Sequence, residues 1–351
     1  VSTSIGSGLG SAIGSGIETG YGTSPVGGLT TWNPTDSHEI KFNPVYHDGK
    51  GLRQGQLVQD FTEHVLVQGD AAGPAKMNAY YKGLGRWVAT HFGSQTSGAP
   101  VQQGGTTAYK QTHKWGSPWG QSLTVGELIP WVGGTVKYWL SIGGKIPEAQ
   151  FSCSNGGALQ CTFTTDFQDR FETQLATPTV TQITDDYYFT WRDMTVSLGA
   201  FGSEAQVDGI MKWTGQSKHA FADKRFNAGN LSKGPYSPAY AIKDEPVDNE
   251  FSQLTGTLET EYLSDQLVNF FRNNSTFSLI VSFTSAMNAG TGNPFSITFR
   301  MPCCYLISDD PTVTGPDLVK PTMNYAVRNN PDLGGSPSVF EIDIVSTETS
   351  L

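Results

Sequence analysis

Charge, cysteine and long apolar runs are all scarce in this 351-residue chain. Asp, Glu, Lys and Arg make up 15% of it, against roughly 25% in an average soluble domain. That excludes a coiled coil or a helical repeat, which need a Glu-, Lys- and Ala-rich chain. No uninterrupted apolar stretch approaches the ~20 residues of a membrane-spanning helix. The first residues also lack the basic-then-apolar order of a secretory signal. The four cysteines, Cys153, Cys161, Cys303 and Cys304, are too few for a disulfide scaffold. Their spacing does not match paired zinc thiolates, and the vicinal pair, inside a strand, points to opposite faces. Buried free thiols are the expectation.

Basic residues are short as well: 22 against 32 acidic, a formal net charge of −10. Residues 1–180 hold 11 basic and 12 acidic side chains (net −1), leaving 11 and 20 (net −9) for 181–351. A protein that grips nucleic acid by its phosphates needs a basic footprint, and none is visible.

Signs of catalysis are missing too. The histidines, His38, His47, His64, His91, His113 and His219, form no H-E-x-x-H or Cys/His set. There is no G-x-S-x-G elbow and no Walker-type loop. The G-x-G-x-G string at 6–10 has no strand before it and no βαβ unit around it. Asp185 with Asp186, and Asp309 with Asp310, flank expected turns, where Asp bonds its local backbone. The sequence therefore predicts no enzyme, no cofactor and no metal site.

What is present points to β structure. The 41 glycines punctuate short runs of β-type residues. In residues 254–262, Leu254, Leu258 and Tyr262 alternate with Thr255, Thr257, Glu259 and Glu261; in 339–345, Phe340, Ile342 and Ile344 oppose Glu341, Asp343 and Val345. Such alternation suits antiparallel sheets with one wet face. Helical spacing is expected at 74–92 (Met77, Tyr80, Tyr81, Leu84, Val88, Phe92) and at 264–273 (Leu267, Phe270, Phe271). Each of these follows a Thr/Glu-rich strand, at 59–70 and 252–265, and precedes further β runs. The expected organisation is a tandem duplication of one strand–helix–strands unit. A Gly/Ser-rich flexible arm covers 1–26, a first unit 27–180, a second 181–346 and a short tail 347–351.

A 36-residue stretch between the halves, 215–250, is poor in aliphatics and long for a loop inside a compact domain. Read as a projecting arm, it would offer Lys218, Lys224, Arg225 and Lys233 to an acidic patch, with Phe221, Phe226 and Tyr236 as anchors.

Three segments carry a resemblance: GKIPEAQFSCSNGGALQCTFTTDFQDRFETQLATPT at 144–179, DEPVDNEFSQLTGTLETEYLSDQLVNFF at 244–271 and DLVKPTMNYAVRNNPDLGGSPSVFEIDIVST at 317–347. With ETGYGT at 18–23, they resemble the tail tube protein of long, non-contractile bacteriophage tails. The resemblance implies two tail-tube units, each a β-sandwich or partial barrel with one flanking helix, that lend strands to a barrel shared between subunits. It implies rings of six units stacked into a tube, hence three copies of a two-unit chain. It also implies a negatively charged channel for double-stranded DNA in transit, a tape measure protein inside, and terminator and tip proteins at the ends. The protein would belong to the virion, with host cytoplasm as its place of assembly and no membrane partner. Thr255, Thr257, Glu259 and Glu261 are the candidate luminal face. The alternative reading is a secreted or surface β-sandwich that binds carbohydrate through exposed tryptophans.

Overall fold

The computed structural model describes residues 5–6, 11–25, 29, 31–50, 58, 61–93, 99–132, 136–173, 178–180, 187–222, 225–232, 234, 239–261, 266–308, 321–333 and 338–351. Strands make up 58% of these and helices 6%, so the chain is mainly β. The first half runs β1 (Ile5–Gly6), β2 (Ala12–Ile17), β3 (Thr31–Asn33), β4 (Ser37–His38), β5 (Lys41–Asp48), β6 (His64–Asn78), α1 (Gly85–Phe92), β7 (Val101–Gln102), β8 (Tyr109–Lys114), β9 (Leu123–Ile129), β10 (Trp131–Val132), β11 (Lys137–Ser154), β12 (Gln160–Phe167) and β13 (Asp169–Glu172). The second runs β14 (Met194–Gly199), β15 (Ala205–Gln206), β16 (Ile210–Lys218), β17 (Phe226–Leu231), β18 (Ala241–Lys243), β19 (Gln253–Thr260), α2 (Gln266–Arg272), β20 (Phe277–Gly290), β21 (Asn293–Ser308), β22 (Thr322–Val327) and β23 (Glu341–Ser346).

Two layers follow from the pairings. One is an antiparallel sheet in the order β5-β6-β12-β11-β16-β19-β22-β21. Behind it lie β3-β2-β9-β11-β13 and β15-β14-β20-β21-β23-β8-β7. β11 and β21 belong to both layers: each starts in the rear layer and ends in the front one. A bulge in β11 between Lys145 and Glu148 marks its passage. Between the layers sits an aromatic core. Phe299 of β21 packs 4.9 Å from Phe151 of β11 and 4.8 Å from Trp213 of β16, centroid to centroid. Trp87 of α1 stacks on Phe163 of β12 at 5.4 Å. The core is therefore continuous through both halves of the chain.

Two expectations are corrected. Residues 74–78 are the end of β6, paired with Thr164 back to Gln160, and α1 begins only at Gly85. Ala75 and Met77 are buried by strand alternation, and Gly83, at φ 84°, turns the chain before the helix. The Gly/Ser-rich start is not a free arm over its described length, because β2 lies buried between β3 and β9. The tail after Ser346 also folds back: Gly83 N donates to Glu348 Oε1 at 3.0 Å. Burial raises the pKa of that carboxyl, against the pull of the Gly83 N–H and Arg86. All four cysteines are buried and free, as expected. The aspartates at 185, 186, 309 and 310 lie outside the described residues.

Candidate functional site: a polar sheet face and its cover

The front sheet has one buried face and one polar face, and the sequence writes the alternation out. In β19, Leu254, Gly256, Leu258 and Thr260 are buried, while Thr255, Thr257 and Glu259 are half-buried on the opposite side; Glu261 follows the strand and is half-buried too. β12 repeats the rule with Gln160, Thr162, Thr164 and Asp166 on the polar side, and β16 with Lys212, Thr214, Gln216 and Lys218. β11 adds Glu148, Gln150 and Ser152, and β6 adds Lys76. The face is a field of hydroxyls and amides. Thr214 and Thr257 share a hydrogen bond of 2.7 Å, and Gln216 Nε2 donates to Glu148 Oε1 at 2.7 Å. Two of its three lysines are matched in register: Lys218 stands opposite Glu148, and Lys212 opposite Glu259, while Lys76 stands opposite Thr162. Cross-strand pairs of opposite sign are mildly stabilising.

The stretch 215–250 does not project as one arm. Lys218 is the last residue of β16 and belongs to the sheet. Phe221 stacks on His219 at 5.3 Å, and His219 stacks on Trp115 at 4.2 Å. Arg225 Nη1 donates to Glu245 O at 2.6 Å, and Phe226 pairs with Lys243 across β17 and β18. The side chains of Phe221 and Arg225 are thus engaged within the chain. Lys224, Lys233 and Tyr236 lie outside the described residues.

What fixes this cover is a set of buried charges that spacing alone did not reveal. Lys145 Nζ, with its side chain fully buried, donates to Pro118 O and Gln121 O at 2.6 Å each and to Glu245 at 2.5 Å. Burial lowers the lysine pKa, and the Glu245 carboxylate opposes that shift. Asp169 accepts from Tyr240 Oη at 2.6 Å and Ser232 Oγ at 2.7 Å, while Lys243 pairs with Asp166 and Asp70. Glu18 accepts from Gly22 N, Gly143 N, Ser122 Oγ and Thr124 Oγ1 at 2.6–2.8 Å. The ETGYGT segment is thus a structural hub. Its Glu supplies lone pairs for four donors, and Tyr21 lies 5.7 Å from the Lys145 ammonium. A cleft of about 580 Å³ remains between the cover and the sheet, lined by residues that include Thr164, Asp166, Lys218, Phe221, Arg225 and Lys243.

Among the described residues no cluster of three His, Cys, Asp or Glu side chains could hold a metal. His91 and His113 are buried, which pushes their pKa down to about 3 and about 4, helped for His91 by the neighbouring His219 and opposed for His113 by Asp343. Burial pushes the Cys153 thiol up to about 12, with a contribution from Asp193, so it is a packing group and not a nucleophile. Among the tryptophans, Trp213 is buried, Trp115, Trp139 and Trp191 are half-buried and Trp119 is 51% exposed. No protein-family model and no curated protein matches the chain.

Proposed function

We propose that this chain is the structural subunit of a phage-type tail tube, a protein that assembles with itself into stacked rings around a passage for double-stranded DNA. One observation carries the reading: the front sheet consists of two four-strand blocks joined edge to edge, and among the described residues its two end strands each pair on one side only. The block β5-β6-β12-β11 is matched by β16-β19-β22-β21. The flanking pairings are matched as well. β9 precedes β11 and pairs with it as β20 does with β21; β13 pairs with β11 as β23 does with β21; β2 pairs with β9 as β14 does with β20. A helix follows β6, and another follows β19. On this reading the first tail-tube unit, expected at 27–180, also takes in β2, residues 181–346 form the second, and three copies supply the six units of a ring. Closing the front sheets into one barrel removes edges that would otherwise invite uncontrolled association.

The polar face then becomes the wall of the passage. A tube that conducts DNA must not hold it, since each cation–phosphate contact displaces counterions and adds a barrier. A wall of Thr, Ser, Gln and Asn, whose Lys212 and Lys218 each face a glutamate, meets that need. Its Glu148, Asp166, Glu259 and Glu261 outnumber Lys76, Lys212 and Lys218 by one, a small excess of the sign that the resemblance implies for the channel. Partners are further copies of the chain, with a length-setting protein in the bore and capping proteins at the ends; DNA passes without specific binding. Negative-stain images of concentrated protein test the reading. Rings or hollow tubes are expected; monodisperse particles at every concentration would sink it. Binding on a glycan array would favour the carbohydrate reading.

A further inference from the structure

Two lysines lie buried among the described residues, and their surroundings differ. Lys145 Nζ donates to Pro118 O, Gln121 O and Glu245, which uses all three N–H groups of an ammonium. Lys243 Nζ, among the described residues, meets carboxylates alone. It touches Asp166 at Oδ1, and Asp70 Oδ2 lies at 3.6 Å. The Lys243 side chain is 3% exposed, against 23% for Asp166 and 17% for Asp70.

Strand order brings these three groups together. On the edge of β6 away from β5, β12 pairs as far as Phe167 opposite Ala71, and β18 then takes over with Ala241 opposite Gln68. Lys243, two residues on in a parallel pairing, comes alongside Asp70 and meets Asp166, which stands opposite Ala72. Hydrogen bonds hold the groups in place. Lys243 O accepts from Gln168 Nε2 at 2.8 Å, and Asp244 N donates to Arg225 O at 2.7 Å. Asn43 Nδ2 donates to Asp70 Oδ1 at 2.9 Å, so Asp70 presents its other oxygen to the lysine.

We propose that the Lys243 amine and the Asp166 carboxyl condense to an amide within the folded chain, a covalent cross-link between the cover and the front sheet. The ion pair holds every atom required. One proton passes from the ammonium to the Asp166 carboxylate, which leaves an amine beside a carboxylic acid. Nζ attacks Cγ, and the Asp70 carboxylate takes a proton from the nitrogen and hands it to the departing hydroxyl. The Nζ–Cγ bond forms, a Cγ–O bond breaks, one water leaves, and nothing is oxidised or reduced. That water has an exit in the cleft that Asp166 and Lys243 line. Groups held in contact react as parts of one molecule, at effective concentrations that reach about 10⁵–10⁸ M when well oriented. The product replaces two poorly solvated charges by a neutral amide. The bond forms inside one copy, independently of the tube reading. It closes a loop between positions 77 apart, which restricts the unfolded chain.

Mass spectrometry of the full chain, denatured after prolonged incubation in the folded state, tests the cross-link. The natural protein is expected to weigh one water less than its sequence, and its digest to contain the Asp166 peptide joined to the Lys243 peptide. The full sequence mass with no joined peptides would overturn the proposal. Lys243→Arg keeps a cation but offers no amine and should show the full mass; a water still lost would place the condensation elsewhere and overturn the assignment. Asp166→Asn should lose one ammonia in place of one water, because the leaving group is then nitrogen; loss of water from that variant would count against Asp166. Asp70→Asn retains both reacting groups and should lower the cross-linked fraction at least tenfold. An unchanged fraction would defeat the role given to Asp70.

Discussion

Two regions of this molecule are held by opposite means. Between the sheets, Phe151, Phe163, Trp213, Phe283 and Phe299 meet with no charged group among them. Under the cover, Lys145, Glu245, Asp169, Lys243 and Glu18 meet in a mesh of hydrogen bonds. Apolar packing is strong but non-directional. It holds two sheets together without dictating where an irregular segment lies. Buried polar groups must find particular partners or lose free energy. They therefore fix residues 219–222 and 239–250, which have few aliphatic side chains to bury, in one position on the first half.

The comparison can be broken at either region. Phe299→Ala removes the ring shared by both halves and should cost about 3–5 kcal/mol, read as a lower urea midpoint for the whole chain. Lys145→Met takes the ammonium from Glu245, which keeps the Gly120 N–H, and from the Pro118 and Gln121 carbonyls, and should cost a similar ~3–5 kcal/mol. Hydrogen exchange separates the two: the lysine variant should first lose protection in 241–250, the phenylalanine variant everywhere at once. Equal, uniform loss in both would show that the cover is no separate layer.

Acid sharpens the contrast at a smaller scale. His91, with ring nitrogens bonded to Ile146 O and Ser217 Oγ at 2.7 Å each, stays neutral in the fold down to about pH 3, and His113 to about pH 4. Both protonate near pH 6.5 once unfolded. The unfolded chain therefore binds more protons below that pH, and stability falls as pH drops from about 6.5 towards 4. Each histidine contributes a slope approaching about 1.4 kcal/mol per pH unit. His91→Gln should make the decline of the denaturation midpoint shallower over that window; an unchanged slope would mean that the ring is not held neutral. The smallest effect belongs to the polar face. Thr257→Val, which removes the bond to Thr214 at a half-buried site, should move the midpoint by no more than about 0.5 kcal/mol. A large loss would make that face part of the core.

Much of the wet-face pattern could be read directly. Leu254 and Leu258 against Thr255, Thr257 and Glu259, and Ile342 and Ile344 against Glu341, follow from a side-chain period of two. Asp343 departs from it, being buried beside Lys110, Arg300 and Thr112. Residues 74–92 misled because Met77, Tyr81, Leu84 and Val88 satisfy helical spacing while Ala75, Met77, Ala79 and Tyr81 satisfy strand spacing. The ladder to β12 decides between them. The candidate arm misled for a related reason: its charges resemble a solvated loop until Lys145, Asp166 and Asp169 are found beneath it.

Composition and alternation by themselves determined a mainly β chain, the inner and outer faces of its regular strands, and the lack of a cationic footprint. Tertiary structure alone decided that β11 and β21 each run through two layers, that Ala12–Ile17 is a buried strand, and which strands pair with which. The physical reason is range. Alternation is a property of neighbouring residues, whereas strand pairing and the partners of a buried charge are set between residues that can lie a hundred positions apart, as Lys145 and Glu245 do, and about these a local pattern holds no information.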